Sequence, residues 1–303
     1  MRNFATMIRL SLVIATYNRA EQLMTTLASV ASQRCCEEWE CVVVDNNSKD
    51  NTRERVEKFS KEHSKLNILY VFEPQQGLSH ARNAGIVASR GDIVAFVDDD
   101  ERIVPQFVES YISLFDTHPD AMSAGGKIVA EYPTGRPRWM SRYTEQPIAN
   151  PMDFGNKIIV FPKGKIPGGG NMAMRRRVFD TIGMFDTSLG RTGKRLIGGE
   201  ESDLFERMAA HGMRCYYQPE AVMYHIIPAE KLTADYFERL AFNTGVSQHR
   251  RAEIHGRRIR LYVGEIMKWC ATLLMCLTHR PAQSLYLLKL RYNISRGIVQ
   301  GMK

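Results

Sequence analysis

Three consecutive carboxylates, Asp98, Asp99 and Asp100, follow an apolar run at residues 93–97. Gathering like charges costs free energy unless a cation or a ligand compensates them. Oxygen ligands suit Mg²⁺ or Mn²⁺, which commonly bind through a few carboxylates together with substrate phosphates. A solvated acidic turn has the same sequence, so the triplet alone leaves both interpretations open.

Two other polar segments could bind a nucleotide. The segment 45–48 combines Asp45 with amides, and such groups can pair with the edge of a nucleobase or with a ribose hydroxyl. The segment 77–85 begins with a glycine and places Arg82 and Asn83 in the first turns of a predicted helix, an arrangement that suits a diphosphate. A turn or helix cap in the first case, and a capped surface helix in the second, are the structural alternatives.

A second group of acids and a histidine lie later in the chain. Gly198 and Gly199 precede Glu200 and Glu201 at a predicted helix start. A carboxylate there could act as general base on an incoming hydroxyl, although simple helix capping gives the same pattern. His225 ends a short β-like run. A lone histidine is usually structural, but one beside an acidic cluster can join a metal.

The elements that would position these residues alternate along the first third of the chain. Strand-like runs and helical patterns follow one another, the strands at residues 10–15, 40–44, 68–72 and 93–97 and the helices at 20–32, 51–62, 79–89 and 105–115. This order predicts a parallel sheet with helices on both faces. Ligands bind at the carboxyl ends of such strands, where the polar segments 16–19, 45–48 and 98–100 fall.

The remaining chain divides into a loop-rich middle and a helical tail. Residues 132–170 are rich in Pro, Gly and Arg and read as long loops over a site that select the acceptor. A helical tail begins near Lys231. Its basic cluster precedes an apolar stretch, 261–277, that is short for a spanning helix. The cluster consists of Arg250, Arg251, Arg257, Arg258 and Arg260. The tail therefore suits binding to anionic lipid, and a helix packed on the catalytic domain is the alternative.

Taken together, these segments resemble family 2 glycosyltransferases, in particular bacterial exopolysaccharide and O-antigen transferases. The resemblance covers about residues 8–228 and is carried by an ordered set of motifs, at residues 13–19, 43–48, 77–85, 98–100, 168–173 and 199–204 and at His225. It implies the GT-A fold, an α/β architecture with a doubly wound, mostly parallel sheet flanked by helices, followed here by a helical tail.

The resemblance also implies roles for individual residues. Those expected at the nucleotide-sugar are Thr16, Asn18, Arg19, Asp45, Asn47, Arg82, Asn83, Asp98, Asp99, Gly169 and Asn171. The expected ligands of Mg²⁺ or Mn²⁺ are Asp98, Asp100 and His225. Glu201 stands where the family keeps its catalytic base. The family usually has Asp there, so Glu200 remains an alternative.

The implied reaction is an inverting transfer from a nucleotide-diphospho-sugar, with UDP favoured, to a glycan or lipid-linked acceptor. The setting would be surface polysaccharide synthesis at the cytoplasmic face of the inner membrane. The catalytic domain is expected at residues 1–230, with a nucleotide-binding half at 8–101 and an acceptor half at 102–230. The helical region at 231–303 is expected to associate with the membrane.

Other function classes fit less well. A sugar-1-phosphate nucleotidyltransferase usually has a glycine-rich basic loop after its first strand, where this chain reads Thr16-Tyr17-Asn18-Arg19-Ala20. A non-catalytic sugar-nucleotide or glycan-binding module would be favoured by loss of the acids, which are present. No G-x-G-x-x-G follows the first strand, which disfavours a Rossmann dehydrogenase.

Composition sets further expectations. The net charge of +8 suggests an anionic partner. The sequence contains no basic–aromatic recognition motif, so nucleic acid is not the expected partner. The six cysteines include no C-x-x-C pair and are expected to be free thiols in a reducing cytoplasm. The apolar run at residues 10–15 is too short for a signal peptide and reads as a strand.

Overall fold

The computed structural model describes residues 7–193 and 198–301. Within that part of the chain, strands form one sheet of nine, β1 Leu10–Thr16, β2 Trp39–Asp45, β3 Ile68–Phe72, β4 Ile93–Asp98, β5 Glu101–Ile103, β6 Ala121–Glu131, β7 Ile159–Val160, β8 Met172–Arg175 and β9 Arg214–Ile226. Their order is β3-β2-β1-β4-β8-β6-β9-β5, and β7 pairs with β9.

The first four strands are parallel, as the sequence predicts. β1 pairs in parallel with both β2 and β4, and β2 with β3. The register places Thr16 opposite Asp45 and Ala15 opposite Asp98, so the polar segments meet at one edge of the sheet. The later strands add antiparallel pairs, β4 with β8, β6 with β8, and β5 with β9. No long apolar run marks β6 or β8 in the sequence, since β6 contains two glycines and β8 is four residues long.

The described residues also form helices. Their bounds are α1 Ala20–Ala31, α2 Thr52–Glu62, α3 Leu78–Ala88, α4 Phe107–Thr117, α5 Arg142–Ala149, α6 Arg177–Ile182, α7 Glu200–Ala210, α8 Ala234–Ile254, α9 Arg258–Cys276 and α10 Pro281–Gln300, with a 3₁₀ turn at Ala229–Leu232. The segment 132–170, expected as loops, contains α5 and β7. A capping box between Ser141 and Thr144 begins α5.

Two hydrophobic cores lie on opposite faces of the sheet. Leu12 and Ile14 point to a core shared with α1 and α4, whereas Val13 between them points to a core shared with α3, α6 and α7. Strands buried on both faces read as continuous apolar runs, which is why β1, β2 and β4 could be found from sequence. The edge strand β3 is only partly buried, but it is also apolar along its length. The doubly wound α/β fold is therefore confirmed.

The chain divides into two compact units. The first takes in the chain up to Val129, then Met152–Thr187 and Glu201–His225; the second takes in Ala130–Pro151, Ser188–Glu200 and the chain from Ile226 onward. The second unit has its own core around Phe237, Leu290 and Ile294. The domain boundary predicted at residue 230 stays a prediction.

Glycines let two helices of the second unit touch backbone to backbone. A Cβ on Gly245 of α8 would lie 2.0 Å from the carbonyl oxygen of Ile294, and one on Gly297 of α10 would lie 2.0 Å from that of Phe242. The helical C-terminal region is thus confirmed and tightly packed. Among the described helices, none is both long and apolar enough to cross a membrane.

Candidate active site

The acidic motif lies where β4 ends and β5 begins. Asp99 is buried and accepts hydrogen bonds from the hydroxyl of Thr16 at 2.8 Å and from Nη1 of Arg19 at 2.9 Å. The same Nη1 donates to Oδ2 of Asp100 at 3.2 Å. One guanidinium from the loop after β1 therefore balances two of the three carboxylates.

Burial and charge act in opposite directions on this pair. Burial raises the pKa of Asp99 to about 6; the positive charge of Arg19 opposes the rise and the charge of Asp100 adds to it. Burial lowers the pKa of Arg19, but Asp99 and Asp100 raise it by more, so that it ends above its ordinary value. Arg19 is therefore a fixed cation at the acidic strand end.

Arg82 connects the acidic motif to the predicted base. This buried side chain donates from Nη1 to Oε1 of Glu201 at 2.9 Å and from Nη2 to Oδ1 of Asp98 at 3.3 Å. Its guanidinium lies 5.5 Å from the ring centroid of Phe185, a cation–π distance. A single cation from the first turns of α3 thus orients two carboxylates that lie far apart in sequence.

A glycine pair makes room for this cluster. A Cβ on Gly169 would lie 2.0 Å from Oε1 of Glu201 and 2.7 Å from Nη2 of Arg82. A Cβ on Gly170 would lie 2.2 Å from Oε1 of Glu101. All three distances are shorter than real Cβ contacts, so these positions require glycine unless the neighbouring side chains move.

Glu101 is a site residue that the sequence analysis missed. It is buried, and its Oε2 accepts the backbone N–H of Asp98 at 2.9 Å, which fixes the strand end that carries the acidic motif. The antiparallel register places it directly opposite His225 on β9. Opposed residues in such a ladder project to the same face. The available signal was a fourth acid, one residue after the triplet.

Asp45, which is predicted to recognise the nucleobase, is also buried and hydrogen-bonded. Its Oδ1 accepts the backbone N–H of Ser48 at 2.8 Å, and its Oδ2 accepts the hydroxyl of Tyr70 at 2.8 Å. Burial and the hydrogen bond to Asp45 raise the pKa of Tyr70, so the phenol stays protonated and donates. The carboxylate is therefore held in one orientation at the end of β2.

Two asparagines with left-handed backbone shape the loops beside Asp45. Asn18 has φ 51° and Asn47 has φ 65°. The backbone N–H of Asn18 donates to Oγ of Ser48 at 3.0 Å, and Oδ1 of Asn18 accepts the backbone N–H of Lys49 at 2.7 Å. The loops after β1 and β2 are thus tied into one surface at the carboxyl edge of the sheet.

Two of the predicted nucleotide contacts, Asn83 and Asn171, hydrogen-bond to the protein backbone. Asn171 is fully buried, donates to the carbonyls of Lys127 and Ala221, and accepts the hydroxyl of Tyr111. The side-chain amide of Asn83 donates to the backbone carbonyl of Phe185 and accepts from the backbone N–H of the same residue. Asn171 lies in the interior, where its amide donates to backbone carbonyls near the glycine pair. Its predicted contact with the nucleotide-sugar, like that of Asn83, stays a prediction.

The carboxylates of the acidic motif fit a divalent cation. The side chain of Asp98 is 40% exposed and that of Asp100 is 12% exposed, so hard oxygen donors reach the surface two residues apart. Across residues 7–193 and 198–301, no three His, Cys, Asp or Glu side chains already surround a common point. The predicted set of Asp98, Asp100 and His225 therefore stays a prediction.

The two candidate bases differ in environment. Glu200 is 2% exposed, whereas the side chain of Glu201 is 22% exposed and bonded to Arg82. A base must reach the acceptor hydroxyl. The exposure of Glu201 therefore favours it over Glu200, although the assignment stays a prediction.

Comparison with known proteins identifies the family. Residues 11–183 match the profile described as glycosyl transferase family 2. The chain belongs to this family. This glycosyltransferase is 28% identical to the succinoglycan biosynthesis protein ExoM of Rhizobium meliloti (strain 1021) over 306 aligned positions, which cover 97% of this chain and 93% of the relative.

Solved structures show the same fold at low identity. The mannosyltransferase PcManGT of Pyrobaculum calidifontis, in complex with GDP-Man and Mn²⁺, matches with a TM-score of 0.64 and 16% identity over 98% of this chain and 88% of that one. S. aureus TarS 1-349 in complex with UDP-GlcNAc matches with a TM-score of 0.56 and 20% identity over 78% and 66%. These matches confirm the GT-A fold of the glycosyltransferase.

The family assignment decides between the functions left open by the sequence. The chain is a glycosyltransferase with relatives in polysaccharide biosynthesis, not a nucleotidyltransferase or a non-catalytic module. All six cysteines of this glycosyltransferase are free, as predicted. Burial raises the pKa of Cys41 and of Cys215 to about 12, so these thiols are unreactive at neutral pH.

Proposed function

We propose that this glycosyltransferase transfers a sugar from a UDP-sugar, with inversion, to a glycan or lipid-linked acceptor in surface polysaccharide synthesis. The observation that carries the proposal is the bridge by Arg82 between Asp98 and Glu201. The bridge joins an acidic strand end suited to a diphosphate and its cation to a carboxylate suited to a base. Donor and acceptor chemistry would then share one site.

In the proposed mechanism, Glu201 accepts the proton of the acceptor hydroxyl while that oxygen attacks carbon 1 of the sugar. The bond from carbon 1 to the diphosphate breaks from the opposite side, and one displacement inverts the anomeric centre. Arg82 keeps the Glu201 carboxylate in place, and Gly169 allows the two side chains to approach. Holding both reactants in one geometry supplies much of the rate enhancement.

Charge on the leaving group needs compensation in this mechanism. Asp98 and Asp100, with His225, would hold Mg²⁺ or Mn²⁺, which when bound would neutralise charge on the departing nucleoside diphosphate. The Mn²⁺ in the PcManGT complex supports this proposal. Thr16, Asn18 and Asn47 would line the nucleotide pocket together with Asp45, and Arg19 would keep Asp99 in place.

The proposed setting is the cytoplasmic face of the inner membrane. The 28% identity to a succinoglycan biosynthesis protein over nearly the whole chain supports a surface polysaccharide as product. The excess of basic over acidic residues, 41 against 33, supports an anionic membrane surface as partner of the helical C-terminal region.

The test is a donor screen with defined acceptors. UDP-, GDP- and dTDP-sugars are incubated with Mn²⁺ and lipid-linked oligosaccharides, and nucleoside diphosphate release is measured. The product is then analysed by NMR for anomeric configuration. We expect release with a UDP-sugar and inversion at carbon 1. Retention of configuration would contradict the mechanism, and release with GDP-sugars alone would contradict the donor.

A further inference from the structure

Helix α9 contacts the rest of the tail through two buried polar residues and through the partly buried Leu261 and Tyr262. Glu265 and Thr272 are the residues of this helix that are buried. Glu265 accepts from Nη1 of Arg291 at 2.8 and 3.0 Å and from the hydroxyl of Ser295 at 2.7 Å, and the indole N–H of Trp269 donates to the same Ser295 at 2.9 Å. The contact between α9 and α10 therefore includes hydrogen bonds and an ion pair.

The opposite side of α9 is apolar and faces outward. Seven large side chains, 54–82% exposed, recur at intervals that place them along one side of the helix and its C-terminal cap, Leu277. We name them the α9 stripe: Ile259, Val263, Ile266, Met267, Leu273, Leu274 and Leu277. A surface helix in water normally has the reverse arrangement, with its apolar side packed inward. A contiguous exposed patch of this kind marks an interaction surface.

Charge indicates what this surface meets. From residue 257 to 301 the only acid is Glu265, which is paired inside the protein. The same segment has eight basic residues, namely Arg257, Arg258, Arg260, Lys268, Arg280, Lys289, Arg291 and Arg296. A second copy of this chain would bring two strongly basic surfaces together, which like-charge repulsion disfavours. An anionic lipid surface matches both the apolar stripe and its basic surroundings.

The helix is suited to lie along such a surface. Its 19 residues span roughly 28 Å at 1.5 Å per residue. No described helix meets the requirements for crossing a membrane. Helices with a strong apolar side and a basic border bind in the plane of the lipid headgroups.

We propose that α9 lies in the headgroup layer of an anionic bilayer, with the α9 stripe among the acyl chains and Arg257, Arg258 and Arg260 at the lipid phosphates. This proposal deepens the membrane association in the proposed function and rests on it. It names the helix and the side of the helix that enter the lipid. It requires no particular donor or acceptor.

The test is vesicle co-sedimentation of the full chain with phosphatidylglycerol or phosphatidylcholine vesicles. Leu274→Ser combined with Leu277→Ser removes two of the most exposed apolar side chains of the stripe. We expect the vesicle partition coefficient to fall at least about tenfold. Val87→Ser combined with Val160→Ser is the matched control, because these side chains are 73% and 54% exposed outside the helical tail. The control should bind as the unmodified protein does.

A second variant tests the electrostatic part. Replacing Arg257, Arg258 and Arg260 by Ser should weaken binding to phosphatidylglycerol by about 10²-fold and leave the weaker binding to phosphatidylcholine unchanged. Unaltered vesicle binding of the leucine variant, or an equal loss in the valine control, would overturn the proposal. The proposal would also be overturned if the unmodified protein did not bind vesicles but self-associated, and the leucine variant abolished that self-association. Donor turnover with a water-soluble acceptor is measured in parallel, so that failure of the transferase mechanism is seen separately.

Discussion

The carboxylate of Glu201 and the guanidinium of Arg82 are 2.9 Å apart, although 119 residues separate them in the chain. The same guanidinium reaches Asp98 at 3.3 Å. One buried cation thus orients both Glu201, the proposed catalytic base, and Asp98, a proposed ligand of the donor-bound metal. Because the two carboxylates have different proposed roles, substitution of Glu201 should slow proton transfer and substitution of Asp98 should weaken donor binding, whereas loss of Arg82 should affect both.

The first prediction concerns the base. Glu201→Gln preserves shape and removes the proton acceptor, so we expect single-turnover transfer to fall by about 10²–10⁴-fold. Donor and metal affinity should change little, which titration of the variant with nucleoside diphosphate checks. Glu200→Gln is the comparison and should slow transfer less. If Glu200→Gln is the inactive variant, the assignment is off by one residue.

The second prediction concerns the cation. Asp100→Asn removes a proposed ligand, and we expect it to abolish metal-dependent donor binding and nearly abolish transfer. The matched control is Asp92→Asn, an exposed carboxylate next to the opposite end of β4, which should behave as the unmodified protein. Binding is measured by calorimetry with and without Mn²⁺. Full transfer activity in excess EDTA would refute a metal requirement.

The third prediction concerns Asp45. Asp45→Ala should weaken the binding of nucleoside diphosphate about tenfold or more, because a hydrogen bond to a charged group is lost. Tyr70→Phe is the control, since it removes a bonded neighbour of Asp45 and leaves the carboxylate in place. Calorimetry on both variants separates the contributions. An equal loss in both would mean that Asp45 only maintains the end of the strand.

The fourth prediction concerns the glycine beside the base. A methyl group on Gly169 would meet Oε1 of Glu201 at 2.0 Å, so Gly169→Ala must displace that carboxylate. Misplacing a catalytic group by about 1 Å can cost roughly 10²-fold in rate. We expect a loss of that order with a melting temperature close to that of the unmodified protein. Gly264→Ala is the control, because no atom lies within 4 Å of its added Cβ.

The fifth prediction concerns acid stability. Burial would raise the pKa of Glu40, but hydrogen bonds from Ser11 and Arg90 lower it below its ordinary value of 4.5. A lowered pKa in the folded state contributes stability that is complete above about 4.5 and is lost as the pH falls through the folded value. Glu40→Gln should therefore lower the free energy of unfolding at pH 7 by roughly 1–3 kcal/mol.

The pH dependence distinguishes this contribution from a general packing defect. The difference between the unmodified protein and Glu40→Gln should shrink when denaturant unfolding is repeated at falling pH. Glu57→Gln is the control, because Glu57 has an exposed ion pair with Arg53 that is weak in water. A stability difference that is constant from pH 7 to pH 3 would show that the charge of Glu40 is not responsible.

Local patterns in the sequence determined the first half of the fold. The predicted bounds of the four parallel strands agree with the observed ones within one or two residues, because each strand is a continuous apolar run. For β1, β2 and β4 that run reflects burial on both faces of the sheet. The polar segments after β1, β2 and β4 were predicted to meet, and the register of β1 with its two neighbours brings them to one edge. Parallel strands impose that outcome through their common direction.

Only the tertiary structure decided which residues contact one another across the site. The pairings of Arg82 with Glu201 and of Glu101 with the end of β4 bring together residues from different elements, and no local period encodes them. The same holds for Asn171, whose buried amide serves backbone carbonyls that the sequence does not identify. The apolar positions of α9 can be read from the sequence. Which side of the helix faces outward depends on the ion pair between Glu265 and Arg291 of α10. Burying a charge is tolerated only with such a partner, and the partner is fixed by packing.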